Sequence, residues 1–162
     1  LAIFVALRQR APSAMAIATM LGLLGIADLL AVNPAFAMLS LSDQYAAATT
    51  EAQRAVALVA GQALWANYQG TAFDVGYVLT ALWASIASMV MLLKGGFGRA
   101  TASIGILTGT SMLVPPTAGR VGIVLSLAAV ALSLVWYLLL AHRLWQLGQP
   151  IPGPTGDHGP HG

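Results

Sequence analysis

Two aspartates, Asp28 and Asp74, stand inside otherwise apolar stretches of this 162-residue chain, and theirs is the chemistry that most needs a partner. A carboxylate carried into a bilayer is costly, so it must face protein or water and either pair with a cation or handle one. Asp28 continues a stripe of small residues (Ala18, Gly22, Gly25) at helical spacing, and Asp74 heads another (Ala81, Ser85, Ser88). Both therefore face protein rather than lipid. One function open to them is a proton or cation site. The other is structural, an ion pair with Arg120 or Arg54, where a guanidinium meets a carboxylate through two parallel hydrogen bonds. The structural reading is the simpler, because insertion near a helix end costs little. It predicts a charge network of Asp28, Asp74, Arg54 and Arg120, with Arg120 within salt-bridge distance of Asp28 or Asp74.

Little else could do chemistry. The three histidines are His142, beside the last apolar run, and His158 and His161 in the C-terminal tail, so no pair of them lies within the apolar segments to ligate a haem. His142 as a single axial ligand and the tail pair as a weak metal site are weaker readings than solvated histidine. Zero cysteines exclude disulfides, thiolate metal sites and covalent haem attachment. No Gly-rich phosphate loop, HExxH or GxSxG motif occurs. The expectation is a non-enzymatic protein with no cofactor and no metal.

The composition says what must position these residues. Hydrophobic residues make up 58% and charged residues 7% of the chain, and mean hydropathy is +0.80. A soluble domain carries roughly 25% charged residues; seven basic and five acidic side chains cannot cover a water-facing surface of this length. The chain belongs to the membrane class, with the lipid bilayer as its first partner. Its net charge of +2 forms no basic stripe, which argues against a nucleic-acid partner.

Four apolar runs predict helical spans at about 12–33, 71–93, 100–115 and 121–141, since a bilayer core takes about 20 helical residues. The third is short, rich in Gly and Thr, and stopped by Pro115-Pro116. Residues 1–7 (LAIFVAL) read as the end of a further, fifth span that begins before Leu1. A rival reading makes Arg8 and Arg10 the start of a signal peptide cleaved after Ala35-Phe36-Ala37; the apolar run is too long for that, and the stub precedes the arginines. The fold class is therefore all-α, a polytopic transmembrane bundle of four full spans plus the end of a truncated fifth.

Basic residues flanking spans stay in the cytoplasm. Arg8, Arg10, Lys94, Arg99 and Arg143 fall on one side of this alternation, leaving Arg54 and Arg120 on the other. The expected location is a bacterial cytoplasmic membrane, crossed several times, with the C-terminus inside. The loop 34–70 is then extracytoplasmic and contains an amphipathic helix: Thr49 or Thr50 caps it, Glu51 and Gln53 follow, and Ala52, Ala55, Val56 and Val59 recur at helical spacing. The transmembrane domain is 1–148, and the tail 149–162 (QPIPGPTGDHGPHG) has nothing to bury and should be disordered.

Small residues recur on the predicted spans: Gly22 and Gly25, then Gly105 and Gly109 as a GxxxG, then Gly122 and Ser126. They permit close helix approach, within this chain on the simpler reading, or against other membrane protein subunits.

Four segments together, LSDQYAAATTEAQRA (41–55), GTAFDVGYVL (70–79), FGRATASIGILTG (97–109) and LVWYLLLAHRLWQLG (134–148), resemble an uncharacterised bacterial multi-helix membrane family whose members are labelled only as a domain of unknown function. The resemblance covers residues 1–148 and implies an additional helix before Leu1. It implies no catalytic residues. The functional expectation is an accessory or scaffold subunit packing with other membrane proteins, and the alternative is a small ion-coupled transporter using Asp28 and Asp74.

Overall fold

The structure is a computed structural model and describes residues 1–149. Those residues form seven helices: α1 (Ala2–Leu7), α2 (Pro12–Ala31), α3 (Ala35–Ala47), α4 (Glu51–Tyr68), α5 (Thr71–Lys94), α6 (Arg99–Ser111) and α7 (Gly119–Gly148). The predicted tail lies outside the described residues from position 150 on. Among the described residues the fold is all-α.

Three segments are long and apolar enough to cross a membrane: Pro12–Ala47, Glu51–Lys94 and Gly119–Gly148. The fourth expected span, 100–115, is not among them. Its helix, α6, has 13 residues, about 20 Å at 1.5 Å per residue, against a hydrocarbon core of about 30 Å. The proline pair removes two backbone donors and restricts the residues before it, so the chain leaves the helix at Met112 and runs irregularly to Ala118. The other boundaries also move. The last helix runs on to Gly148 rather than stopping at 141, and the stub is a short helix of its own, α1, with Leu7 fully buried.

The loop 34–70 holds two helices, not one. α4 starts where its cap predicts: Thr50 Oγ accepts from the Gln53 backbone N–H while the Gln53 side chain accepts from the Thr50 backbone, a complete capping box. α3 has no side-chain cap, and only Asn33, accepting from the Ala35 N–H at 3.0 Å, marks the joint before it. α3 and α4 pack on each other as a hairpin rather than back onto the bundle.

The bundle is ordered along α5. α2 packs on one side of it and α6 on another, α7 packs on α6, and α1 bridges α2 and α5. The core gathers on the second half of α5, where Ala84, Ala87, Val90 and Met91 meet Met15, Trp136 and their neighbours. Small residues set the spacing. A Cβ on Gly25 would lie 2.8 Å from the Gly76 carbonyl oxygen, and one on Gly22 would lie 2.8 Å from Cγ of Trp83. The α2 and α5 backbones are therefore in direct contact, the arrangement that holds helices together where lipid offers no hydrophobic drive.

Candidate functional site

Polar and charged groups collect at three heights on the bundle: the end carrying the hairpin, the middle, and the opposite end where α5 turns into α6.

At the hairpin end, Asp28 projects from α2 towards α5, its Cβ 3.2 Å from where a Gly76 side chain would begin. Its side chain is partly buried, and among the described residues no hydrogen bond or ion pair reaches its carboxylate. Asp74 lies in the first turn of α5, where the helix dipole favours negative charge. Its Oδ1 accepts from the Thr117 hydroxyl at 2.6 Å, a short, charge-assisted bond.

The expected charge network is not assembled. Arg120 is exposed on α7 beside Val121, Val124 and Leu125 and pairs with neither aspartate. Arg54 pairs instead with Glu51, three residues earlier on its own helix, at 3.1 Å. Both outcomes have local causes. The connector after α6 passes Asp74 before α7 begins, so Thr117 arrives first. Gly119 then turns the chain with φ of +76°, a conformation natural only to glycine, and α7 starts with Arg120 directed elsewhere. Arg54 has a carboxylate one turn away and need not reach across a helix.

In the middle, Gly105 and Gly109 of α6 lie against α5 and α7. A Cβ on Gly105 would collide with Ser88 Oγ and come within 2.5 Å of Trp136 Nε1; one on Gly109 would collide with Ser85 Oγ and come within 2.9 Å of the Ala81 carbonyl oxygen. Ser85 Oγ, Ser88 Oγ and Trp136 Nε1 are buried without hydrogen-bond partners among the described residues. The serine oxygens lie where the glycine Cα hydrogens point, the geometry of weak Cα–H···O contacts between helices. This leaves no room for a ligand; it is a packing seam. Nearer the hairpin end, a Gly122 Cβ would collide with the Pro115 carbonyl oxygen. Ser126 donates to the Gly122 carbonyl at 2.7 Å and accepts from the Tyr77 hydroxyl at 3.3 Å, tying α7 to α5. Each of these small residues thus has a neighbour inside the chain.

At the opposite end lies an arrangement that spacing alone did not reveal. Arg10 Nη1 donates to the Lys94 carbonyl at 2.7 Å, covering an orphan acceptor at the C-terminus of α5. Arg143 Nε donates to the Gly96 carbonyl at 3.4 Å and its Nη1 to Gln146 Oε1 at 2.7 Å. Two guanidiniums thus hold one turn. The turn needs glycine: Gly95 and Gly96 have φ of +70° and +99°, and a Cβ on Gly96 would stand 3.0 Å from Arg10 Nη1. The sequence signal was the Gly-Gly pair directly after a basic helix end, which leaves carbonyls open to a donor. His142 is exposed on α7, its Nε2 2.9 Å from Gln146 Nε2. Among the described residues no three His, Asp or Glu side chains cluster to hold a metal ion.

The hairpin is the remaining feature. Between α3 and α4 lies an open cavity of about 460 Å³ lined by Met38, Leu41, Tyr45, Leu58 and Trp65 among others, with no carboxylate. Its flanks expose large apolar side chains, with Phe36 at 90%, Val56 at 71%, Val59 at 64% and Leu39 at 63%. Comparison with known protein families, curated proteins and solved structures finds no match to the chain.

Proposed function

We propose that the chain is a non-enzymatic subunit of a membrane protein assembly, whose α3–α4 hairpin is the element that packs on a neighbouring membrane protein. The observation that carries this reading is the hairpin's apolar exposure combined with packing chiefly on itself, Tyr68 of α4 meeting Phe73 of α5 only at its base. α2 alone has 20 residues, about 30 Å of helix, enough for a bilayer core. The hairpin that continues from it then lies at or beyond the lipid boundary, where side chains such as Phe36 and Val56 need a cover that lipid tails do not provide. The occupant that fits is the apolar, uncharged surface of another integral membrane protein, because the cavity walls carry no charge to recognise a polar one.

The orientation belongs to the same reading. Arg8, Arg10, Lys94, Arg99 and Arg143 gather at the end opposite the hairpin, which supports a cytoplasmic side for that end and the C-terminus and an outer side for the hairpin. α6 with its irregular continuation then completes a fourth crossing: α6 starts beside Lys94 and the connector reaches Asp74, so together they run the length of α5. Non-helical backbone at that depth is tolerated where it is covered by protein, as Pro115 is by Gly122. The membrane that fits this orientation is a bacterial inner membrane.

The test is a photo-crosslinking residue at Phe36 or Val56 in cells, with Leu127 on α7 as a lipid-facing control. One discrete adduct, of the same mass from both hairpin positions and absent from Leu127, is expected. With the photo-crosslinking residue moved to Val59, also exposed on the hairpin, Phe36→Ser with Val56→Ser should abolish the adduct with the melting temperature of the purified chain unchanged. A chain that runs as a monomer in native mass spectrometry, and whose hairpin positions label only with lipid, overturns the reading.

One observation favours the second reading, a small ion-coupled transporter. Among the described residues Asp28 lacks a cation partner, and Asp74 is bonded to the connector that interrupts a span, the kind of broken helix transporters use. It requires that proteoliposomes carry a proton or cation flux that Asp74→Asn removes; tight vesicles with no flux dismiss it.

A further inference from the structure

Among the described residues, the end of the bundle opposite the hairpin is charged in one sense only. Arg8, Arg10, Lys94, Arg99 and Arg143 lie there, while the acidic groups among the described residues (Asp28, Asp43, Glu51 and Asp74) all lie on the hairpin or at the hairpin end of the bundle. The acceptors that hold Arg10 and Arg143 are two backbone carbonyls and an amide oxygen, which fix the guanidiniums in place without neutralising them. A guanidinium has five N–H donors; among the described residues Arg10 uses one of them and Arg143 two.

Beside this turn an apolar groove of about 530 Å³ opens between α1 and α7. Val5, Phe97, Leu144 and Leu147 line it, and Arg10 and Gly96 stand at its polar edge. A pre-positioned cation at the mouth of an apolar slot, between helices that lie in a bilayer, matches one molecule in both halves: an anionic phospholipid. Its phosphate has oxygens for the free N–H groups and a charge to meet theirs, and its acyl chain covers the slot. A zwitterionic lipid would satisfy the groove but bring its own cation to a cationic site.

We infer that this end binds an anionic phospholipid, with the headgroup phosphate on Arg10 and Arg143 and an acyl chain between α1 and α7. Basic pockets between helices on the cytoplasmic side recognise such headgroups elsewhere, and here the arginines that bind would be those that already clamp the α5–α6 turn. Lipid would then stabilise the fold directly, by binding where α1, α5 and α7 converge. The inference rests on the reading of the chain as membrane-embedded, though not on the partner proposed for the hairpin.

The test uses the purified chain in mild detergent, with melting temperature and native mass spectrometry as readouts. Phosphatidylglycerol, phosphatidylcholine and inorganic phosphate are the three additions. Phosphatidylglycerol should give a one-to-one adduct that survives detergent washing and raises the melting temperature, with phosphatidylcholine and phosphate giving neither. Because Arg10→Gln also releases the Lys94 carbonyl and could unfold the turn, two further variants carry the argument. Lys94→Gln with Arg99→Gln, both exposed, should weaken the anionic preference about fivefold per charge. Leu147→Glu puts a carboxylate at the slot and should remove the adduct with no change in melting temperature without lipid. Equal adducts with phosphatidylcholine, or equal stabilisation by phosphate, overturn the proposal, as does retention of the adduct by all the variants. Resistance of the wild-type chain to extraction from membranes by alkali is read separately. Its loss would overturn the membrane reading itself.

Discussion

Gly105→Leu is expected to prevent α6 from docking, and even Gly105→Ala should lower the melting temperature of the purified chain in detergent. The position faces two elements at once. A single added carbon would overlap Ser88 Oγ on α5 and stand 2.5 Å from Nε1 and 2.7 Å from Cε2 of Trp136 on α7. Neither neighbour yields cheaply. Ser88 is fully buried, and Trp136 is 1% exposed and set edge-on to Trp83 at a centroid distance of 5.6 Å. Overpacking a filled core costs roughly 1–3 kcal/mol, and here relief on one side worsens the other. α6 must move off both, and with it goes the packing that α6 provides between α5 and α7. Gly148→Ala is the control, since among the described residues nothing lies within 4 Å of its added Cβ. The measurement is thermal unfolding followed by near-ultraviolet circular dichroism of the tryptophans. A Gly105→Leu chain that melts with the wild type would mean the α5–α6–α7 seam is not the tight contact described.

Trp136→Ala is expected to destabilise the bundle by about 3–5 kcal/mol, the usual cost of emptying an indole site in a packed core. Trp136 is the largest fully buried side chain among the described residues, and it touches the core where α5, α6 and α7 meet. Among the described residues its ring nitrogen has no hydrogen-bond partner. Volume, not polarity, is therefore what it supplies, and the N–H is a liability in an apolar setting. Trp136→Phe should accordingly keep most of the stability, at a cost well under that of alanine. Equilibrium unfolding in mixed detergent micelles separates the cases. If phenylalanine proved as damaging as alanine, the indole N–H would have a partner that its surroundings do not show.

What could be read from the sequence divides along a physical line. Apolar runs reported which segments could cross a membrane, because the lipid solvent selects composition directly. The stripe Ala18, Gly22, Gly25 indicated which face of α2 is buried, and the Thr50–Gln53 pair marked the start of α4, since a cap is a local interaction between residues three apart. α3 was missed because it has neither a capping side chain nor a buried residue to impose a period. The length of α6 was overread for a related reason. Hydropathy continues through Met112, Leu113 and Val114, but the prolines that follow end the helix.

The charged residues were legible as a set and not as pairs. Which end each occupied followed from the alternation of spans. Partner choice did not, because it depends on backbone turns: Gly119 sends Arg120 away from Asp74, and the Gly95–Gly96 turn offers carbonyls to Arg10 and Arg143. A positive φ is invisible until the chain around it is built.

The hairpin also bears on the order in which the chain can assemble. α2 and α5 make the broadest helix–helix contact in the bundle, yet in sequence everything from Val32 to Gly70 lies between them. If that segment were slack, bringing the two helices together would carry the entropy of closing a long loop, a cost that grows with the logarithm of its length. α3 and α4 remove most of that slack. Both are regular, they pair on their own, and only the joints at 32–34, 48–50 and 69–70 lie outside the helices. Once the hairpin has zipped, the distant partners α2 and α5 are kinetic neighbours. The segment that leaves its apolar side uncovered in the finished fold is thus also a clasp that brings the rest of the fold within reach.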